Sequence, residues 1–118
     1  MKRMILALFL VLLLAGSASA LSNKEYKQLK KDSALFAGAD RKLTEVWNRI
    51  KGEITRPAES AFEILKAEQL DWIKSGRDKA AKKHMKKGAS KDVAYANATY
   101  DRVRELEEWE ELMFGDEE

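Results

Sequence analysis

The chain has no cysteine, one proline and one histidine in 118 residues. The missing thiols exclude disulfides, thiolate nucleophiles and cysteine-bound metals, so whatever fold forms must be held by packing alone. The lone His84 excludes a multi-histidine metal site. It sits in the run Lys82-Lys83-His84-Met85-Lys86-Lys87, whose charge would repel a divalent cation, and is expected as a solvated helix-end residue. No Ser-His-Asp arrangement with a usable base is present, and glycine-rich phosphate loops are absent. Carboxylate pairs such as Glu107 with Glu111 are i, i+4 neighbours on an expected surface rather than groups whose pKa values a pocket separates. The expectation is therefore a non-enzyme with no cofactor and no metal.

What is present starts with the amino terminus. Residues 1–3 are basic, residues 4–15 form an unbroken apolar run, and Ala18-Ser19-Ala20 is a small-x-small cleavage site. This is the pattern of a secretory signal peptide. Twelve apolar residues rise only about 18 Å as a helix, short of the roughly 30 Å hydrocarbon core that a membrane anchor must span. Ser17 stands where a lipoprotein box needs the cysteine that is acylated, so no lipid anchor is expected. The mature chain is expected to begin at Leu21 and to work in the periplasm or outside the cell.

The remaining 98 residues carry 20 basic and 20 acidic side chains. A nucleic-acid binder needs a basic excess over its domain, so nucleic acid is not an expected partner. Charge is nevertheless segregated: residues 21–104 hold 20 basic and 12 acidic groups, whereas residues 105–118 hold eight acids and no base.

Ser22 followed by Glu25 is a capping box that opens a helix just after the cleavage site. Leu29, Phe36, Leu43 and Ile50 then recur every seven residues, with Ala39, Val46 and Trp47 beside them, which predicts one helix of about eight turns with Gly38 as its soft spot. Pro57 suits the first turn of a second helix with Phe62, Leu65, Gln69, Trp72 or Ile73, Gly76 and Ala80 inward, ending at Gly88. Ser90 can cap a third helix, with Val93, Ala96 or Asn97, Tyr100, Val103, Leu106, Trp109 or Glu110, and Met113 inward. The expected fold is all-α, an antiparallel three-helix bundle over residues 21–113, preceded by the signal peptide at 1–20 and followed by an acidic tail at 114–118.

Three spaced segments, Ala39-Asp40-x-x-Leu43-x-x-x-Trp47, Gln69-x-x-Trp72-x-x-x-x-Arg77-Asp78 and Thr99-x-x-Arg102-x-x-x-Leu106, resemble the lysozyme inhibitor LprI-like N-terminal domain family over about residues 33 to 106. Members are small, secreted and helical, and usually contain cysteine. Here Thr44 stands for the usual Asn, Trp47 for Tyr and Gly76 for an aromatic, and Ala81 and Ala94 align with family cysteines. The resemblance implies a secreted helical binding module whose partner is a protein or glycan of the cell envelope, a lysozyme first among them. Residues Glu107, Glu108, Trp109, Glu110 and Glu111 are the candidate contact for such a basic partner, offering acid for steering and one aromatic anchor. A structural or assembly role in the periplasm is the alternative.

Asp40, Gln69, Arg77, Thr99 and Arg102 fall on or beside apolar stripes, where an unpaired charge is costly, so with Asp78 they are expected to form a structural polar network, buried except at its rim. Arg77 is its expected hub, Asp40 its first partner and Asp78 a rim residue.

Mass spectrometry of the exported protein should find Leu21 as its first residue. A mature form still carrying residues 4–15 would defeat the signal-peptide reading.

Overall fold

The structure, a computed structural model, describes residues 21–54 and 58–115. The expected signal peptide, Pro57 and the acids at 116–118 lie outside the described residues. The described chain is all-α: α1 (Asn23–Asp32), α2 (Ala34–Glu53), α3 (Glu59–Asp71), a π-helical turn (Trp72–Gly76), α4 (Arg77–Lys86) and α5 (Lys91–Phe114), with no strand among the described residues. Because the backbone stays helical through both ends of the π turn, α3 and α4 form one rod and the described chain forms four.

The capping box forms as expected. The Glu25 amide donates to Ser22 Oγ at 3.1 Å, and the Ser22 amide donates to Glu25 Oε1 at 2.8 Å. Those bonds hold the Glu25 carboxyl below its ordinary value. The expected eight-turn first helix is split, however, and the break falls at Ser33 rather than Gly38. Ser33 adopts extended backbone, its amide closes α1 on the Leu29 carbonyl at 2.9 Å, and its Oγ accepts from the Phe36 amide at 3.1 Å to open α2. A serine that can satisfy an orphan helix amide favours the cap over the helix interior. Its hydroxyl also donates to Asp92 Oδ2 at 3.3 Å, which pins the corner to the start of α5. Gly38 lies inside α2, where an added Cβ would meet nothing closer than 3.8 Å, so neither packing nor backbone demands a break there.

The buried face of α2 is Phe36, Ala39, Leu43, Val46 and Ile50, on the expected stripe. In the second rod Phe62, Leu65 and Gln69 are inward as expected, but beyond the π turn the inward residues are Arg77, Asp78 and Ala81 instead of Gly76 and Ala80. A π turn inserts one extra residue into the helix, so every inward position after it moves on by one. Gly88 does end the rod: it has φ 104°, and the Gly88 and Ala89 amides donate to the Met85 and His84 carbonyls at 3.0 and 3.1 Å.

The α5 stripe departs most from expectation. Ser90 occupies the N-cap position, yet its hydroxyl donates to Asp92 Oδ1 at 2.8 Å instead of capping an amide. The buried residues are Ala94, Tyr95, Ala96, Ala98, Thr99, Arg102, Val103 and Leu106, while Tyr100 and Met113 are exposed. A helix enclosed on two sides buries a wide face, and α5 packs along α2 on one side and α4 on the other.

The core has two ends. Phe36, Ala39, Ala81, Ala94, Tyr95, Ala96 and Ala98 form one cluster, where alanines let helix backbones approach closely. Leu43, Val46, Ile50, Phe62, Leu65, Val103 and Leu106 form the other, with Trp47, Trp72 and Trp109 half-buried against it. Ala81 and Ala94 share the first cluster and are both fully buried. The double variant Ala81→Cys with Ala94→Cys should therefore oxidise spontaneously and stabilise the domain by up to about 3 kcal/mol, measured by thiol titration and denaturant unfolding. Failure to cross-link would mean that the Cα atoms stand well beyond about 7 Å.

Candidate functional site

The π turn decides which polar groups point inward. By advancing the register it buries Asp78 to 5% exposure and Arg77 to 9%. Asp78, expected at the rim, is the hub. Its Oδ1 accepts from the Tyr95 hydroxyl at 2.7 Å, the Tyr26 hydroxyl at 2.9 Å and the Leu21 amide at 3.1 Å, so one carboxylate ties α4 to α5, to α1 and to the segment before α1. Burial, together with the bond to Asp78, pushes the Tyr26 phenol up to about 12, and the Tyr95 phenol is raised from its ordinary value for the same reasons. Neither tyrosine was legible as a polar partner, since Tyr26 follows the capping box without a polar signal of its own and Tyr95 lies off the expected stripe.

Arg77, the expected hub, is held mainly by rings. Its guanidinium carbon lies 3.9 Å from the Tyr26 ring centroid and 5.0 Å from that of Trp72. Asp40 is its nearest carboxylate at 3.8 Å, and Asp40 is itself paired more closely with Lys30 at 3.2 Å. The Arg77 Nε is buried without a hydrogen-bond partner among the described residues. Gly76 gives Trp72 its place, because a Cβ at residue 76 would lie 3.0 Å from the indole.

The expected network divides into separate groups. Arg102 Nε donates to Gln69 Oε1 at 2.7 Å and its NH1 to Glu105 Oε1 at 2.9 Å, joining α3 to α5. Thr99 does not reach across helices, since its hydroxyl donates to the Tyr95 carbonyl of its own helix at 2.8 Å. His84 is also corrected: instead of being merely solvated it lies 2.9 Å from Asp101 Oδ2, in a cluster that Arg104 completes.

Between α2 and the α3 rod lies a groove of about 630 Å³. The first two motif segments build it, with Asp40, Leu43, Thr44 and Trp47 on one wall and Gln69 and Arg77 on the other. Phe62, whose ring centroid lies 5.5 Å from that of Trp47, joins them, and Leu70 and Ile73 line the rod side at 59% and 45% exposure. Lys51 and Lys66 add cationic groups, so three cations and one carboxylate line an apolar trough.

The acidic end of α5 is less free than its sequence suggests. Arg49 grips Glu110 with both Nε and NH2, at 2.8 and 2.7 Å, and lies 3.9 Å from Glu107. That grip holds the Glu110 carboxyl low, while neighbouring Glu110 raises Glu53. Trp109 packs edge-on against Phe114 at 6.0 Å and against the core, and Glu108 and Glu111 are exposed.

No family model matches the chain, and no curated protein or solved structure matches it.

Two outcomes follow from the hub. Asp78→Ala should lower unfolding free energy by about 3 kcal/mol or more, because each stranded phenol costs about 1–3 kcal/mol, while Arg77→Ala should cost less, since Lys30 still pairs Asp40. The unfolded chain releases its phenol protons near pH 10 while the folded state keeps those of Tyr26 and Tyr95, so their stabilisation is complete below about pH 10 and falls as pH rises toward 12. Tyrosinate absorbance alongside unfolding curves checks both; a stability flat across that window would contradict the buried phenols.

Proposed function

We propose that the protein is an exported, non-catalytic binding module of the cell envelope, similar in kind to the lysozyme inhibitor LprI-like domains, with a lysozyme as the target to test first. The observation that carries the binding reading is the groove. Two of the three motif segments converge on it, and it leaves Trp47, Leu70 and Ile73 lining an apolar trough beside Lys51, Lys66 and Arg77. That chemistry suits an apolar segment of a partner protein that carries an acidic side chain. The exposed acids of α5, above all Glu108 and Glu111, would speed the approach of a basic partner.

A structural or assembly role in the periplasm is the second reading, favoured by Ile64, Leu70 and Ile73, which stand exposed along one rod with Ile64 at 64%. It requires concentration-dependent association that Ile64→Glu weakens in sedimentation.

The deciding experiment is a cell-wall lysis assay with residues 21–118 at low and physiological salt. It is run beside two variants, Leu70→Glu with Ile73→Glu in the groove, and Glu107→Gln, Glu108→Gln and Glu111→Gln together, which leaves the Arg49 pair with Glu110 in place. Inhibition should weaken with salt, fall at least tenfold in the groove variant and fall several-fold in the neutralised one. No inhibition of any lysozyme class at micromolar protein would overturn the lysozyme assignment. Inhibition untouched by the groove variant would move the contact to α5.

A further inference from the structure

We infer that cleavage after Ala20 completes the buried site around Asp78, the new α-ammonium of Leu21 becoming that carboxylate's counter-ion, so that export processing stabilises the fold. This rests on the export reading above, in which Leu21 is the first mature residue.

The geometry is already in place. The Leu21 nitrogen lies 3.1 Å from Asp78 Oδ1, and the Leu21 side chain packs against the cluster of Phe36, Ala81 and Tyr95. Residue 21 is thus held twice, its side chain by an apolar contact and its nitrogen by a carboxylate. Asp78 is deeply buried, and among the described residues its other donors are two neutral phenols and no lysine, arginine or histidine forms an ion pair with it. Its sequence neighbour Arg77 turns instead toward Asp40 and the faces of Tyr26 and Trp72.

A buried carboxylate whose hydrogen bonds come from neutral donors lacks a direct counter-ion, and Arg77, over the Tyr26 ring, does not contact it. In the uncleaved chain residue 21 contributes a peptide amide, with one N–H and no charge. Peptide hydrolysis at 20–21 adds water across that bond. The released Leu21 amine takes a proton at neutral pH and presents three donors and a positive charge at the same point, which makes a charge-assisted pair. The charged and titratable groups around it are Glu25 and Tyr26 of α1, Arg77 beside Asp78 on α4, and Tyr95 and Lys91 of α5. Glu25 feels both Asp78 and Lys91, which places the terminus in a region where each charge is felt by the next. The capping box of α1 does not require a free amine, so the pairing is separable from the helix start.

The test uses residues 21–118 released from a removable fusion so that Leu21 is the true terminus, compared with the same chain acetylated at Leu21. Acetylation restores the single neutral N–H of the uncleaved chain and removes the charge together with the two extra donors. The free-amine form should melt about 4–8 °C higher than the acetylated form, a shift readable for a domain of this size. The difference should vanish in Asp78→Asn, and the Leu21 amine, followed by NMR, should titrate above the ordinary range of about 7.7–8.0. If Asp78→Asn does not fold, the melting difference and the amine titration decide between them. Equal melting of the two forms, or an amine that titrates in the ordinary range, would overturn the ion pair. Mass spectrometry of the exported protein is read separately: a mature terminus other than Leu21 overturns the export reading and with it the coupling to processing, whatever the melting result.

Discussion

One buried carboxylate organises the first half of the molecule. Helix α1 has no buried residue of its own and no disulfide to hold it, so it attaches through half-buried contacts, Leu29 against the core, Lys30 with Asp40 and above all Tyr26, whose hydroxyl reaches Asp78 and whose ring lies 6.1 Å from Phe36 and 5.7 Å from Tyr95. Asp78 can receive those donors only because the π turn at Trp72–Gly76 rotates it inward. The same rotation carries Arg77 under Tyr26 and Trp72 and into the wall of the groove. One inserted residue in a helix thus sets the docking of α1, the burial of two charges and the chemistry of the candidate site.

The two ends of the core differ in residue size, and the groove follows from that difference. At the alanine-rich end, Ala39, Ala81, Ala94 and Ala98 let α2, α4 and α5 close on one another. At the other end the gap is filled by Phe62, Leu65, Leu43 and Ile50, with indoles at the margin, and bulky side chains hold helices farther apart. Where that spacing opens toward solvent, the α2 wall and the α3 rod leave a trough that neither fills. Its cationic groups belong to the same elements, Lys51 at the end of α2 and Lys66 on α3, so shape and charge have a common origin.

The acidic carboxyl end shows how tertiary contacts redistribute a charge pattern. Five residues that read as one contact patch are divided by a single arginine: Arg49 takes Glu110 in a bidentate grip and draws Glu107 near, whereas Glu108 and Glu111 stay in solvent. Trp109 is turned toward the core and Phe114, so an aromatic that looks like an anchor serves packing first. Steering a charged partner needs only the field of exposed carboxylates, whereas close contact needs a concave apolar surface, and here the two lie in different places.

The helical class, the capping box at Ser22, the inward face of α2 and the stop at Gly88 were legible from sequence, because each depends on local spacing or on a backbone preference of one residue. That Gln69, Arg77 and Arg102 are buried was legible too, since polar and charged residues on an apolar stripe must find partners, whereas Asp78 read as a rim residue. Which partners they find was not. The π turn leaves no mark in hydrophobic periodicity, yet by adding one residue it exchanged the expected roles of Arg77 and Asp78 and displaced the inward face of α4. Ser33 rather than Gly38 broke the first helix because a cap bond and a contact with Asp92 across the fold outweigh intrinsic flexibility. Periodicity describes a helix alone; the width of the α5 face, the groove beside α2 and the three donors on Asp78 exist only when several helices meet, and their geometry is set by side-chain volumes summed across elements far apart in the chain.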